Sequence, residues 1–348
     1  TCHFQSWTKA SCPLGVVGGY CDAITDWTTT DVFTRHLDLC GVGSTAHVAL
    51  LSDADAQEDA VAAARLAVLR LGSTPIVVSL RQPMGPLVES PVVTAAAEAA
   101  DVVVDFRTKG FGHSSDSALT VAKGHAAVVV MRTSDTERIN RNSPHPGLSH
   151  RVKRATDRCT NGSELTLSCD HGTALTIDLG GSSISGQTGV ATKGQVALWP
   201  SGQCIIVAGP KTVHGTIVLM PGDLHTTLGE YVRSPVTLTV QNNHVAEIEG
   251  GHGDTDLVRS MLGASGTTDG YNLTTVSLGL NLLHGHRVDD PTGRSIGHPD
   301  DASIVAGIIT LGFGGTDEAP IFATALRQRT LSVDGHELVS KGWLRGDL

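Results

Sequence analysis

The sequence predicts an α/β N-terminal domain built on a parallel, Rossmann-like sheet, followed by a mainly antiparallel β half of α+β character. Two observations carry this. Up to about residue 131, short continuous apolar runs alternate with stretches of helical spacing, as in strands buried on both faces and covered by helices. Beyond residue 160, apolar and polar residues alternate singly between turn signals, as in half-buried strands. With about 150 residues per domain as a guide, the chain divides into 1–160 and 161–348.

The elements follow in order. Ala46 to Leu51 is apolar, Asp55 to Leu71 carries Ala, Val and Leu at helical spacing behind an Asp cap, and Pro75 to Leu80 is apolar again, which together make a βαβ unit. A helix from Ser90 to Ala100, a strand from Asp101 to Phe106, a helix from Ser115 to Lys123 and a strand from Ala126 to Met131 repeat the pattern. A basic passage from Pro146 to Arg158 reads as helix. Strands then fall at Glu164 to Ser168, Leu175 to Leu179, Gln203 to Val207 and Gly215 to Leu219. Val236 to Val240 and Val245 to Ile248 flank Asn242-Asn243, and Leu331 to Val333 and Glu337 to Val339 flank Asp334-Gly335, two hairpin signatures. One helix, Asp254 to Leu262, interrupts the strands, and Ser303 to Gly315 reads as a buried strand.

Composition narrows the functions. The formal charge is −10, which leaves no basic surface for a phosphate backbone, so no nucleic-acid partner is expected. The most apolar stretch, Ser303 to Gly315, is shorter than the roughly 17–25 residues of a membrane-spanning helix, so no membrane partner is expected either. The 7 cysteines (Cys2, Cys12, Cys21, Cys40, Cys159, Cys169, Cys204) are odd in number and form no C-x-x-C pair, and no secretory segment precedes them. That usage fits free thiols in a cytoplasmic protein.

The standard short motifs are missing: there is no H-E-x-x-H, no nucleophile elbow, no Walker loop and no complete dinucleotide fingerprint. Gly110-Phe-Gly112 follows the Asp101 strand and precedes a helix. It reads either as a tight strand-to-helix turn or as the approach to a ligand at the C-terminal end of a parallel strand. In the second case the next residue, His113, is the candidate for proton transfer near neutral pH. Trp199-Pro-Ser-Gly202 places an indole beside a small-residue turn; Trp199 is either the wall of a pocket for a flat substrate, with Ser201 beside it, or packing beneath a hairpin. Asp223 and His252 are candidates to orient a substrate group. His284-Gly-His286, with Asp289 and Asp290, then His298 with Asp300 and Asp301, gathers metal-ligating side chains in one segment. On an extended strand His284 and His286 share a face; the alternative is a polar surface loop.

Several of these runs resemble one family. Trp199-Pro-Ser-Gly202, then Gly215-Thr-Ile-Val-Leu219 with Gly222-Asp223, Val236-Thr-Leu-Thr-Val240, and Ile248-Glu-Gly-Gly251 before Leu257-Val-Arg-Ser-Met261, resemble the 2,5-dihydroxypyridine 5,6-dioxygenases, which are related to the aminopeptidase T-like metallopeptidases. The resemblance covers residues 30 to 340 and is strongest between 196 and 263. It implies that a histidine after the Asp101 strand acts as base on the substrate hydroxyl, and His113-Ser114 matches that place. It also implies a two-fold homodimer. The positions that the resemblance gives to the metal ligands read Thr275, Ile321 and Ala323, of which threonine is a poor ligand and the others none.

Three functional readings follow. The first is a metal-independent enzyme, without cofactor, that uses acid/base chemistry at His113 to open, hydrolyse or rearrange a small cyclic or amide-containing molecule. The second is a ring-cleaving dioxygenase or hydrolase whose metal has moved to His284, His286 and Asp290. The third is a non-catalytic binding or scaffold protein on the same fold.

Overall fold

The computed structural model describes residues 27–80, 91–107, 125–251, 253–264, 266–282, 299–315 and 322–348. Helix α1 (Trp27–Leu39) leads into β1 (His47–Ser52), α2 (Glu58–Arg70), β2 (Thr74–Ser79), α3 (Pro91–Glu98), β3 (Val102–Asp105) and β4 (Ala127–Met131). These strands are parallel, in the order β2-β1-β3-β4. The predicted βαβ unit and the two following strands are thus present, and the predicted helix at 115–123 lies outside the described residues.

Valine repeats explain why this sheet is covered twice. In β3 and β4, Val102, Val104, Ala127, Val129 and Met131 face a core shared with α1 and α2. Their neighbours Val103, Val128 and Val130 face a second core with Val93 and Ala97 of α3. Alternate side chains of one strand point to opposite faces, so an unbroken apolar run requires helices on both sides.

After α4 (Thr136–Arg141) and α5 (Pro146–Asn161), the chain forms β5 (Glu164–Ser168), β6 (Ala174–Asp178) and β7 (Ser183–Gln187), then returns to the first sheet. Strand β8 (Val196–Trp199) pairs in parallel with β4 and becomes the fifth strand. The parallel sheet therefore takes its last strand from beyond residue 160. The remaining strands are β9 (Gln203–Val207), β10 (Val213–Leu219), β11 (Leu224–His225), β12 (Glu230–Tyr231), β13 (Val236–Gln241), β14 (His244–Gly250), β15 (Leu273–Gly279), β16 (Ile309–Phe313), β17 (Phe322–Leu326), β18 (Thr330–Val333), β19 (His336–Ser340) and β20 (Trp343–Leu344), with α6 (Asp254–Leu262) between β14 and β15.

They form two antiparallel sheets, β14-β13-β10-β6-β5-β18-β19-β20 and β12-β11-β17-β16-β15-β9-β7. Leu165, Ile177, Ile217 and Leu238 of one meet Ile206, Val276, Leu311 and Phe322 of the other in a single core, closed by Val152, Ala155 and Cys159 of α5. The predicted long strand from Ser303 to Gly315 is corrected here. Only Ile309–Phe313 is strand, because Pro299–Ile304 is a 3-10 helix and Gly307 turns the chain at φ +82°. Among the described residues, no helix is long and apolar enough to cross a membrane.

Candidate active site

The first sheet changes direction between β1 and β3: the chain steps outward from β1 to β2, then crosses back to β3 and continues to β4. Helices on either side of such a reversal diverge and leave a crevice outside the C-terminal strand ends. Two strand ends meet there. After β1 stand Ser52 and Asp53, and Asp53 Oδ1 accepts the backbone N–H groups of Asp55 and Ala56, each at 3.1 Å. After β3 stand Phe106 and Arg107. Arg107 donates through Nε (2.8 Å) and Nη2 (2.9 Å) to the carboxylate of Asp105, which also accepts the Arg107 N–H at 3.0 Å. Both members are buried, and a two-pronged charge-assisted pair of this kind fixes direction as well as distance. Phe106 N–H donates to the Leu51 carbonyl at 2.8 Å, which ties the two strand ends together. His113, Gly110 and Gly112 lie outside the described residues, six or fewer positions beyond Arg107.

At the end of β8, Trp199 and Ser201 come together. They line one small cavity of about 10 Å³, with His36, Asn142 and Ser149 among its other walls. Trp199 is 3% exposed. Its indole stacks on the His36 imidazole, with centroids 4.0 Å apart and planes 12° off parallel, and meets the Phe33 ring edge-on at 5.3 Å. Ser201 Oγ donates to the Gln187 carbonyl at 3.3 Å. The cavity has room for a water molecule and not for a ring, so the indole packs within the α1 core in this structure.

Asp223 is not part of that cavity. It is 2% exposed, and its Oδ2 accepts Arg329 Nη2 at 2.7 Å and the Met220 N–H at 2.8 Å, while Oδ1 accepts the Arg327 N–H at 2.8 Å. Burial pushes its carboxyl above the usual range, against the pull of Arg329. This geometry fastens the turn before β11 to the turn after β17. His252 lies outside the described residues. Near it in sequence, Asp254 Oδ2 accepts the Ser234 N–H (2.6 Å), the Ser234 hydroxyl (2.7 Å) and the Arg233 N–H (3.1 Å). Burial alone raises the Asp254 carboxyl, but those donors hold it below the ordinary value.

Two of the three positions that the resemblance gives to metal ligands fall within the described residues. Thr275 of β15 is in register with Gly312 of β16, which is in register with Ala323 of β17. The two named positions are therefore brought to one row of one sheet, but a hydroxyl and a methyl supply no nitrogen, thiolate or carboxylate donor. These residues do not fit a divalent metal. Among the described residues, no three His, Cys, Asp or Glu side chains are grouped to hold one. Ile321, His284, His286, Asp289, Asp290 and His298 lie outside the described residues.

Sequence reasoning missed the ties beside the cavity. Asn281 Nδ2 donates to Asn142 Oδ1 (3.0 Å) and to the Ser201 carbonyl (3.3 Å). Arg138 grips Asp301 through Nε (2.9 Å) and Nη2 (2.6 Å). Arg151 donates to the Leu280 carbonyl at 3.0 Å. These contacts hold the helices α4 and α5 against the chain on both sides of residues 283–298. No local sequence signal marks them, since each joins residues 80 or more positions apart.

The comparisons with known proteins agree with this architecture. The structure of 2,5-dihydroxypyridine dioxygenase from Pseudomonas putida KT2440 superimposes with a TM-score of 0.79 at 22% identity, covering 91% of this chain and 97% of that one. Wild-type AmpT from Thermus thermophilus gives a TM-score of 0.57 at 13% identity, covering 91% and 99%. At such identities the likeness is one of fold. No curated protein sequence matches the chain. The family model for 2,5-dihydroxypyridine 5,6-dioxygenase, however, matches residues 28–346, and with the match spanning nearly its whole length the chain belongs to that family.

Proposed function

We propose that the chain is an enzyme that moves a proton on a small cyclic or amide-containing molecule, with His113 as general acid/base and no resident metal. The observation that carries this reading is the reversal of strand order between β1 and β3, from which the chain leaves β3 toward His113 at the place where open α/β sheets bind ligands. The enclosed Asp105–Arg107 pair supports it by fixing the backbone just before that segment. An imidazole there takes a proton from an acidic hydroxyl or ring N–H and returns it to the leaving or rearranged atom, with no net change in its own charge over a cycle. Trp199 and Ser201 stand at the C-terminal end of a strand of the same sheet and back this region from within the α1 core. The reading also includes a two-fold dimer through the β-rich half and a cytoplasmic setting in which Cys40, Cys159, Cys169 and Cys204 stay thiols.

The test uses the purified chain, its metal content and the absorbance of 2,5-dihydroxypyridine and of cyclic imides. Turnover without added metal, reduced about 10²- to 10⁴-fold in His113→Ala at unchanged melting temperature, is the expected result. Turnover that requires ferrous iron, with one iron per chain lost in His284→Ala or His286→Ala, moves the chemistry to a relocated metal. That second reading draws on Asn281 and Asp301, which pin the chain on either side of those histidines. Binding without turnover of any probe identifies a binding protein. For assembly, light scattering at a single chain's 36.2 kDa rejects the dimer.

A further inference from the structure

The cavity beside Trp199 has a chemistry of its own. His36 is 1% exposed. One face of its ring lies on Trp199, and Nε2 is 2.7 Å from the Gly189 carbonyl oxygen. A carbonyl only accepts, so Nε2 carries the hydrogen. The neutral ring then has a bare lone pair at Nδ1, and that atom is buried with no partner among the described residues. Double protonation is no escape, because burial lowers the imidazole to about 4. At neutral pH, Nδ1 is a fixed acceptor in want of a donor, and leaving such an atom unmet is costly.

The neighbouring hydroxyls do not satisfy it. Ser201 donates its proton to the Gln187 carbonyl at 3.3 Å, and Thr188 directs its own toward the Val190 carbonyl at 3.5 Å. Thr188 Oγ1 also accepts the Val190 N–H at 3.2 Å, which leaves it one lone pair, while Ser201 Oγ keeps both. The group that completes the site must donate to Nδ1, must find a further polar partner among these hydroxyls, and must fit a cavity of about 10 Å³. Water meets these conditions, since one molecule needs about 10–15 Å³ and two to four polar partners.

We propose that His36 Nδ1, with the Ser201 and Thr188 hydroxyls, forms an internal binding site for one water molecule that joins α1 to the Trp199–Ser201 turn. The site is structural and not hydrolytic: a buried ring this weakly basic is a poor proton acceptor for activating water. It assigns Trp199 a rigid partner, because the imidazole on which the indole stacks is held at both nitrogens.

Nitrogen-15 spectroscopy of the imidazoles, with water-to-protein cross-relaxation, tests this on the intact chain. The expected result is a proton on Nε2, a hydrogen-bonded but unprotonated Nδ1 that is unchanged between pH 7.5 and 5.5, and a water cross-peak to the His36 ring. His36→Phe keeps the stack on Trp199 and removes the acceptor, so relaxation dispersion should count one fewer long-lived water. A proton on Nδ1, a solvent-free Nδ1 shift without the cross-peak, or an undiminished water count in His36→Phe overturns the proposal. If His36→Phe fails to fold, the wild-type spectra alone decide it.

Discussion

Asp105 and Arg107 stand two residues apart at the end of β3, while Asp223 and Arg329 stand 106 residues apart in the sandwich, yet both pairs are almost wholly enclosed. The local pair links positions only two apart, across the end of one strand. It shapes the strand end from which the chain leaves toward the segment proposed to carry His113. The distant pair binds two turns, and its partners are mostly backbone groups: the N–H groups of Met220 and Arg327 on Asp223, and the Val218 carbonyl on Arg329. The same two side chains thus serve different ends in the two halves, which is why a buried Asp–Arg pair alone is a poor guide to an active site.

The largest effect should come from breaking the distant pair. Asp223→Ala leaves a guanidinium at 2% exposure without its counter-charge, and removing one member of an enclosed pair costs about 3–5 kcal/mol. Urea denaturation of Asp223→Ala, Arg329→Met and the double variant should show the double variant losing much less than the sum of the two single losses. A loss below about 1 kcal/mol in either single variant would show that the sandwich does not depend on this tie.

Acid separates the halves next. His36 in the first half has its folded value lowered from 6.5 to about 4 by burial, partly opposed by its hydrogen bond to Gly189. The unfolded chain therefore takes up the proton first. Its contribution is fully present above pH 6.5 and is lost as pH falls from 6.5 to 4, by about 3 kcal/mol in all. His225 in the second half is also lowered by burial, but Asp254 and Glu230 oppose the shift, so its loss over the same window should be smaller. Urea midpoints at pH 7 and pH 4.5, for the native chain, His36→Phe and His225→Phe, should show the flatter profile in His36→Phe.

The same contrast explains what was legible in the sequence. Strands such as Val102–Asp105 and Ala127–Met131 announce themselves because burial on both faces demands an unbroken apolar run. Asn242-Asn243 and Asp334-Gly335 announce their hairpins because all four residues take left-handed backbone angles, with φ of 52°, 71°, 49° and 77°. The strand end leading to His113 was legible for a related reason, since alternation of strand and helix fixes which end faces the crevice. The return of Val196–Trp199 to the first sheet was not legible: four apolar residues are compatible with any sheet, and pairing with β4 is decided at long range. Trp199 shows the limit most clearly. A Trp-Pro-Ser-Gly run is equally suited to a ligand wall and to a core, and only its stack on His36, 163 residues earlier, distinguishes them.

The smallest effect probes the row Thr275–Gly312–Ala323, where the second half holds small neutral side chains in register across three strands. A Cβ at Gly312 would stand 2.2 Å from Thr275 Oγ1, so the threonine hydroxyl already occupies the space above β16. Gly312→Ala must displace it. Overpacking of this kind typically costs about 1–3 kcal/mol, partly offset by the lower entropy of the unfolded chain, for a net loss of about 1–2 kcal/mol. Thr275→Ala removes the clashing oxygen and should restore most of that loss in the double variant, because the Thr275 Cβ is 3.6 Å away and in ordinary contact range. Melting curves of the two single variants and the double variant decide it. If Gly312→Ala alone is neutral, the face above β16 is open rather than filled, and the row regains room for a larger ligating side chain. If the loss persists in the double variant, a neighbour other than Thr275 fills that face.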